Sequence, residues 1–348
     1  MQASPFRGVL LPMVALLAVT GCQPAVETRF TAYRQALEAI TGTTTIPSND
    51  TELFTYPSRR QRRLPMPALR IGLGDFFNLY GCRLFFLVNQ RNSIMGRVMP
   101  ISQRLAYEIR FLRAAQQCRI KLQQGNQTEA VHRLDGIIAN KRALLPALLW
   151  NATFDSPEMA RAFSLAVSPI EVGEEAGFTA SLGALAYFLR LGERLEDTSL
   201  RIDSSILESH YQSLQAHRYG GRLATTLALL SNHLAAATTT LERVAGHCAS
   251  NAVPTARWQS LETALTPVRQ LTDTLQRQGG QWLDAVNRLV ALPGIQPPPA
   301  FQDYHAAMLS QDSGLWRRFL ATVQRHRRSQ HRWLSACAPA ELRQGLRF

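Results

Sequence analysis

The side chains able to do chemistry are dispersed along this sequence. Of the eight histidines, His210 and His217 are seven apart and His326 and His331 five apart. Neither pair has a cysteine or carboxylate at the spacing a zinc site requires, so no metal and no cofactor is expected. A Gly-x-Ser-x-Gly elbow, a P-loop and a dinucleotide fingerprint are absent from the sequence, and IGLGDF at 71–76 lacks the preceding strand that phosphate cradling needs. Glu171, Glu174 and Glu175 crowd one loop. Carboxylates so placed can act as acid and base if burial separates their pKa values, but on a glycine-bearing loop they read as solvated. Arg91, Asn92 and Ser93 set three hydrogen-bonding side chains where an apolar helix ends, close to Gly96, and form the candidate binding loop. A polar turn satisfying the helix's last carbonyls accounts for the same residues without a ligand. No catalytic residue is assigned. The sequence favours a binding or scaffolding protein over an enzyme, with two alternatives: an arginine-rich module binding anionic lipid or glycan, and an envelope hydrolase or transferase built on either loop.

One further cysteine sits in a different setting. Arg7 supplies a positive start, and Val9 to Val19 is an apolar run of secretory-signal length. A bilayer span needs roughly 20 apolar residues. The run closes on Val19, Thr20, Gly21 and Cys22, which resembles the lipobox of bacterial lipoproteins. That resemblance implies a signal peptide over 1–21, lipid attachment at Cys22, and, with Gln23 following, retention at the outer membrane facing the periplasm. Ordinary cleavage with Cys22 left free or in a disulfide is the other reading. The expected partners are the membrane, through this N-terminal anchor, and an envelope protein or an anionic lipid or glycan; the chain is expected to be a monomer.

Apolar residues make up 46% and charged residues 18% of the chain, a globular composition. The formal net charge is +13, and Lys121 and Lys141 are the only lysines. Codon usage explains an arginine bias, while guanidinium forks also suit phosphates and carboxylates. Nucleic acid is not an expected partner in the periplasm. The strongest basic runs are SRRQRRLP at 58–65 and WRRFLATVQRHRRSQHRW at 316–333; the second could lie against an anionic surface. Beyond Cys22 the cysteines are Cys82, Cys118, Cys248 and Cys337, an even number in an oxidising compartment. Among three connectivities, Cys82 with Cys118 and Cys248 with Cys337 is favoured because each pair falls within one helical half.

The elements that must position these groups are helices. Phe30, Tyr33, Leu37 and Ile40 share one helical face ahead of a stop at Gly42, and residues 43–70 read as extended loop. A buried helix is expected from Asp75 to about Gln90, then one capped by Ser102 that carries Leu105, Ile109, Leu112 and Cys118. Asn126 with Glu129 suggests a capping box for a third helix running past Leu148, kinked at Pro146. Ser156, Pro157 and Glu158 mark another start. Leu223 to Val244 and Trp258 to Trp282 carry sustained heptads, predicting two long helices lying antiparallel in a bundle. Trp316, Phe319 and Val323 are placed to face the core. The fold class is all-α, a multi-helix bundle with two disulfides. Residues 22–70 form an anchored helix and loop, and 71–167 and 178–348 two helical halves or one continuous domain.

Further residues resemble an uncharacterised family of proteobacterial lipoproteins, a domain of unknown function. They are Tyr56-Pro57, Ile71-Gly72-Leu73, Cys82-Arg83-Leu84, the block RNSIMGRVMPISQRLAYE at 91–108, and Cys118. The resemblance implies the same address and supplies no activity, substrate or site residue.

Overall fold

The computed structural model describes residues 25–47, 50–67, 81–245 and 253–344. Every extended run of amphipathic periodicity in them is helical, and no strand occurs among the described residues. The longer helices are α1 (Ala25–Thr41), α2 (Arg83–Asn92), α3 (Ile101–Gln124), α4 (Thr128–Ala143), α5 (Leu145–Thr153), α6 (Ala176–Glu193), α7 (Ser204–His217), α8 (Tyr219–Val244), α9 (Thr255–Val290) and α10 (Gly314–Cys337). Buried residues from Val26 to Ala338 form one continuous apolar cluster. No helix among the described residues is long and apolar enough to cross a membrane.

The two heptad helices bury their seams fully, from Leu223 to Leu241 on α8 and from Trp258 to Trp282 on α9. They touch each other sparsely and close against other helices: α8 packs chiefly on α10, and α9 on α1 and α6. Named contacts fix these pairings. Thr238 of α8 meets His326 of α10, Arg257 of α9 donates to the Ala39 carbonyl of α1, and Trp282 Nε1 donates to Ser181 Oγ of α6 at 2.8 Å. Thr272, the polar break in the second heptad, is buried because its hydroxyl donates to the Val268 carbonyl one turn back. Trp316, Phe319 and Val323 do face the core.

Several local expectations shift. Gly42 ends α1 with a φ of +65°, as its position suggested. Ser156 accepts from Met159 N–H at 3.1 Å, a true helix cap. Ser102, by contrast, lies inside the first turn of α3 and donates to Glu208 Oε1 at 2.8 Å. Asn126 adopts a φ of +55° in the turn after α3 and makes no capping box; α4 begins at Thr128 after Gln127. α5 starts at Leu145, with Pro146 in its first turn, after a break at Leu144, so the expected single kinked helix is two. The buried helix expected from Asp75 is seen from Arg83; Asp75 lies outside the described residues, and Phe86 points to solvent, 71% exposed. Cys82 and Cys118 are bonded, joining the start of α2 to α3. Cys337 is buried and disulfide-bonded, while its expected partner Cys248 is outside the described residues.

After α1, the described residues 42–47 and 50–67 run as a largely extended strap along the bundle, broken by one helical turn at Arg59–Arg62. Thr45 and Thr51 bond to Thr240 and Asn232 of α8, and Tyr56 Oη donates to the Phe154 carbonyl. Asn151 then clamps the strap with both ends of its amide: Oδ1 accepts from Leu64 N–H at 2.8 Å and Nδ2 donates to Leu64 O at 2.9 Å. Trp150 Nε1 donates to the Arg62 carbonyl at 2.7 Å. Asn151 is fully buried, and these two bonds give both its amide oxygen and its amide nitrogen a partner.

Candidate functional site

Where the strap passes α5, a cleft of about 350 Å³ opens between it, the Arg91–Arg97 turn, α3 and α4. Met66 and Pro67 of the strap with Leu144, Leu145 and Leu148 give it an apolar wall. Arg91, Asn92, Arg97, Arg104, Glu108 and Lys141 give it a polar one. The volume is that of an ordinary small-molecule site.

The turn is held by its own side chains bonding to its backbone. Ser93 Oγ accepts from Gly96 N–H at 3.1 Å and donates to the Gln90 carbonyl at 2.7 Å. Arg91 Nη1–H donates to the Gly96 carbonyl. Gly96 is required by close approach, since a Cβ there would lie 2.2 Å from Gln90 O. Tyr107 Oη donates to Leu87 O at 3.0 Å, and the Cys82–Cys118 bond fixes the other end of α2.

The electrostatics of the polar wall are lopsided. Lys141 Nζ lies 2.5 Å from Glu108 Oε2, both side chains little exposed, and Nζ also sits 4.2 Å from the Phe111 ring centroid. That pair neutralises itself. Among the described residues no carboxylate pairs with Arg91, Arg97 or Arg104. Arg104 Nε is buried without a hydrogen-bond partner. Its guanidinium pKa is held below the usual arginine value by burial and, more weakly, by Arg91 and Arg63, against an opposing pull from Glu108. An excess of fixed positive charge beside an apolar wall can bind and orient an anion. Among the described residues Glu108 is the one lining carboxylate, and it is engaged by Lys141.

Of the sequence candidates, the structure brings Arg91 and Asn92 into this cleft, while Ser93 caps the turn. Arg97, Arg104, Glu108 and Lys141 were missed. A signal exists for Arg97 and Arg104, since residues 81–107 hold four arginines and no acid. Glu174 is gripped by Arg222, whose Nη2 donates to Oε2 at 2.6 Å while its fork also reaches the Ser168 and Pro169 carbonyls. This hydrogen bonding lowers the Glu174 pKa and ties the loop down. Glu171 and Glu175 have no comparable partner in a cleft. No group of three metal-binding side chains occurs among the described residues. Cys22 lies outside them.

Part of each basic run is paired with carboxylates of the fold. In the first, Arg59, Arg62 and Arg63 converge on the buried Asp155 carboxylate at 3.4, 3.6 and 3.9 Å. Arg62 also sits over the Tyr56 ring, 5.1 Å from its centroid. In the second, Arg325 pairs with Glu242 and Arg327 with Asp273. His326 in that run is wholly buried.

Fold and site together define an all-α protein with a cationic, half-apolar cleft. The chain belongs to the family described as "Protein of unknown function (DUF3080)", which matches residues 30–339. No curated protein and no solved structure matches it.

Proposed function

We propose that this protein is a non-enzymatic binding protein of the cell envelope, held through a lipid on Cys22 at the periplasmic face of the outer membrane. Its cleft takes the anionic head of an amphiphile, a phosphate or carboxylate carried on an acyl chain. The observation that carries this reading is Arg104: a guanidinium with a buried, unpartnered Nε, flanked by Arg91 and Arg97, in a cleft whose opposite wall is leucine. A buried unpaired donor is costly, and a ligand oxygen there would relieve it. The leucines and Met66 suit a hydrocarbon segment better than the hydroxyls of a glycan. The anchor reading rests on the Cys22 sequence context, and α1 begins three residues beyond it.

The test is titration of the protein with dihexanoyl phosphatidic acid below its micelle concentration, with dihexanoyl phosphatidylcholine as the control. Saturable one-to-one binding of the first, much weaker for the second, is expected. Equal affinity for the two, or none for either, would remove the reading. For the anchor, mass spectrometry of the mature N-terminus should show acylated Cys22, and an unmodified cysteine would remove that part.

A further inference from the structure

Eight large apolar side chains stand exposed among the described residues, and four fall within one stretch of thirteen: Phe86, Ile94, Met95 and Val98, at 71, 82, 78 and 72%. Single exposed apolar residues elsewhere, such as Ile120 and Ile206, need no explanation. A cluster does. These four are borne on α2 and the turn after it, the same segment that the Ser93 and Arg91 bonds, Tyr107 and the Cys82–Cys118 bridge hold in place. They form a built ledge.

We propose that this ledge inserts into an anionic bilayer surface and sets the mouth of the cleft at headgroup level. Two features select that occupant. The first is charge: the ledge lies in residues 81–107, which hold Arg83, Arg91, Arg97 and Arg104 and no acid, a balance that complements anionic headgroups. The second is shape. Side chains standing more than 70% exposed protrude, and a fluid surface can mould around them. Arg91, Asn92 and Arg97 belong to both ledge and cleft, so insertion of one delivers the other to the lipid. The source of the cleft's ligand is then the bilayer itself, a step that rests on the amphiphile-binding reading above.

The test uses the full chain carrying Ile94→Trp, mixed with vesicles of phosphatidylglycerol and phosphatidylcholine or of phosphatidylcholine alone, both with brominated acyl chains. The unsubstituted protein supplies the baseline of its native tryptophans. Site-specific quenching at position 94 is expected in the anionic vesicles and not in the zwitterionic ones. Arg83→Gln should weaken that binding about fivefold, the effect of one basic side chain near a charged surface. Unquenched emission from position 94, equal quenching in the two vesicles, or a self-association that buries position 94 would each overturn the proposal. The double variant Ile94→Ser with Met95→Ser separates the two readings. If it still binds monomeric dihexanoyl phosphatidic acid but no longer engages vesicles through this segment, ledge and cleft are distinct. Loss of vesicle engagement in a protein that never bound the monomer would show failure of the cleft alone.

Discussion

Tyr33 Oη lies 3.0 Å from Nε2 of His326, joining the first described helix to the last across 293 residues. On the other side of the ring, Nδ1 is 3.0 Å from Thr238 Oγ1, whose own proton goes to the Leu234 carbonyl at 2.6 Å. Thr238 can therefore only accept from the ring, which places the imidazole proton on Nδ1 and makes Nε2 the acceptor of the Tyr33 hydroxyl. Complete burial pushes the His326 pKa down to about 3.

The pH dependence follows from that shift. The unfolded chain binds a proton at this histidine below about pH 6.5, and the folded chain resists doing so until about pH 3. The contribution is therefore complete above the unfolded pKa and lost as pH falls, by up to about 1.4 kcal/mol per unit. His233, stacked on Phe30 and pushed by burial to about 4, acts in the same direction. Urea midpoints measured at pH 7, 6 and 5 should fall less steeply for His326→Gln than for the wild type, and parallel trends would contradict the assignment.

Arg104→Gln removes the cleft's unpaired guanidinium while keeping a polar side chain. A charge-assisted bond is worth about 1.5–3 kcal/mol, so affinity for dihexanoyl phosphatidic acid should drop roughly 10- to 100-fold. Calorimetric titration reads this directly. Unchanged affinity would place the ligand elsewhere.

Gly96→Ala would set a methyl group 2.2 Å from the Gln90 carbonyl and 2.6 Å from that of Arg91. The turn must open, at a cost of about 1–3 kcal/mol, and Arg91 loses its hold on the residue-96 carbonyl. Thermal unfolding should show the loss, with ligand affinity falling alongside it. A variant as stable as wild type would mean the turn is looser than its contacts indicate.

Asp155→Asn deprives three arginines of their common carboxylate. Arg62, carried by the strap itself, is the one that suffers because its side chain is buried, and breaking such a pair costs about 3 kcal/mol or more. The expected signature is local as well as global: trypsin should cut at Arg59 to Arg63 faster than in the wild type. Unaltered cleavage would show that Asn151 and Trp150 hold the strap alone.

Replacing both Cys82 and Cys118 by serine frees a loop with a sequence separation of 36 residues. The chain-entropy estimate for that closure is about 4 kcal/mol. Chemical denaturation of the double variant should show a loss of this order, and a reductant should lower the wild-type midpoint. No change with reductant would make the bridge irrelevant to stability.

The helices were legible wherever one face alternates at threes and fours over several turns, as in α1, α8 and α9, because that period is a local property of the chain. The Ser156 cap and the Gly42 stop were legible for the same reason. Asn126 misled because an asparagine tolerates positive φ as readily as it caps, and only the turn after α3 decides between the two. The cleft was half legible. Arg91 and Asn92 drew notice as a polar end to an apolar helix, but Arg104, Glu108 and Lys141 lie on two other helices and look like ordinary surface charges.

By itself the sequence determined the all-α class, the buried faces and the acid-free run of arginines, since each depends on residues near one another along the chain. Tertiary structure alone decided which faces meet, so that two consecutive heptad helices close against α10, α1 and α6 more than against each other. It also decided which arginines are spent and which are spare. Arg59, Arg62 and Arg63 share a carboxylate because a buried Asp155 arrives from 92 or more residues away, and Arg104 has none because Glu108 is held by Lys141. Electrostatic pairing depends on distance through space and on burial, and neither is written in the local order of residues.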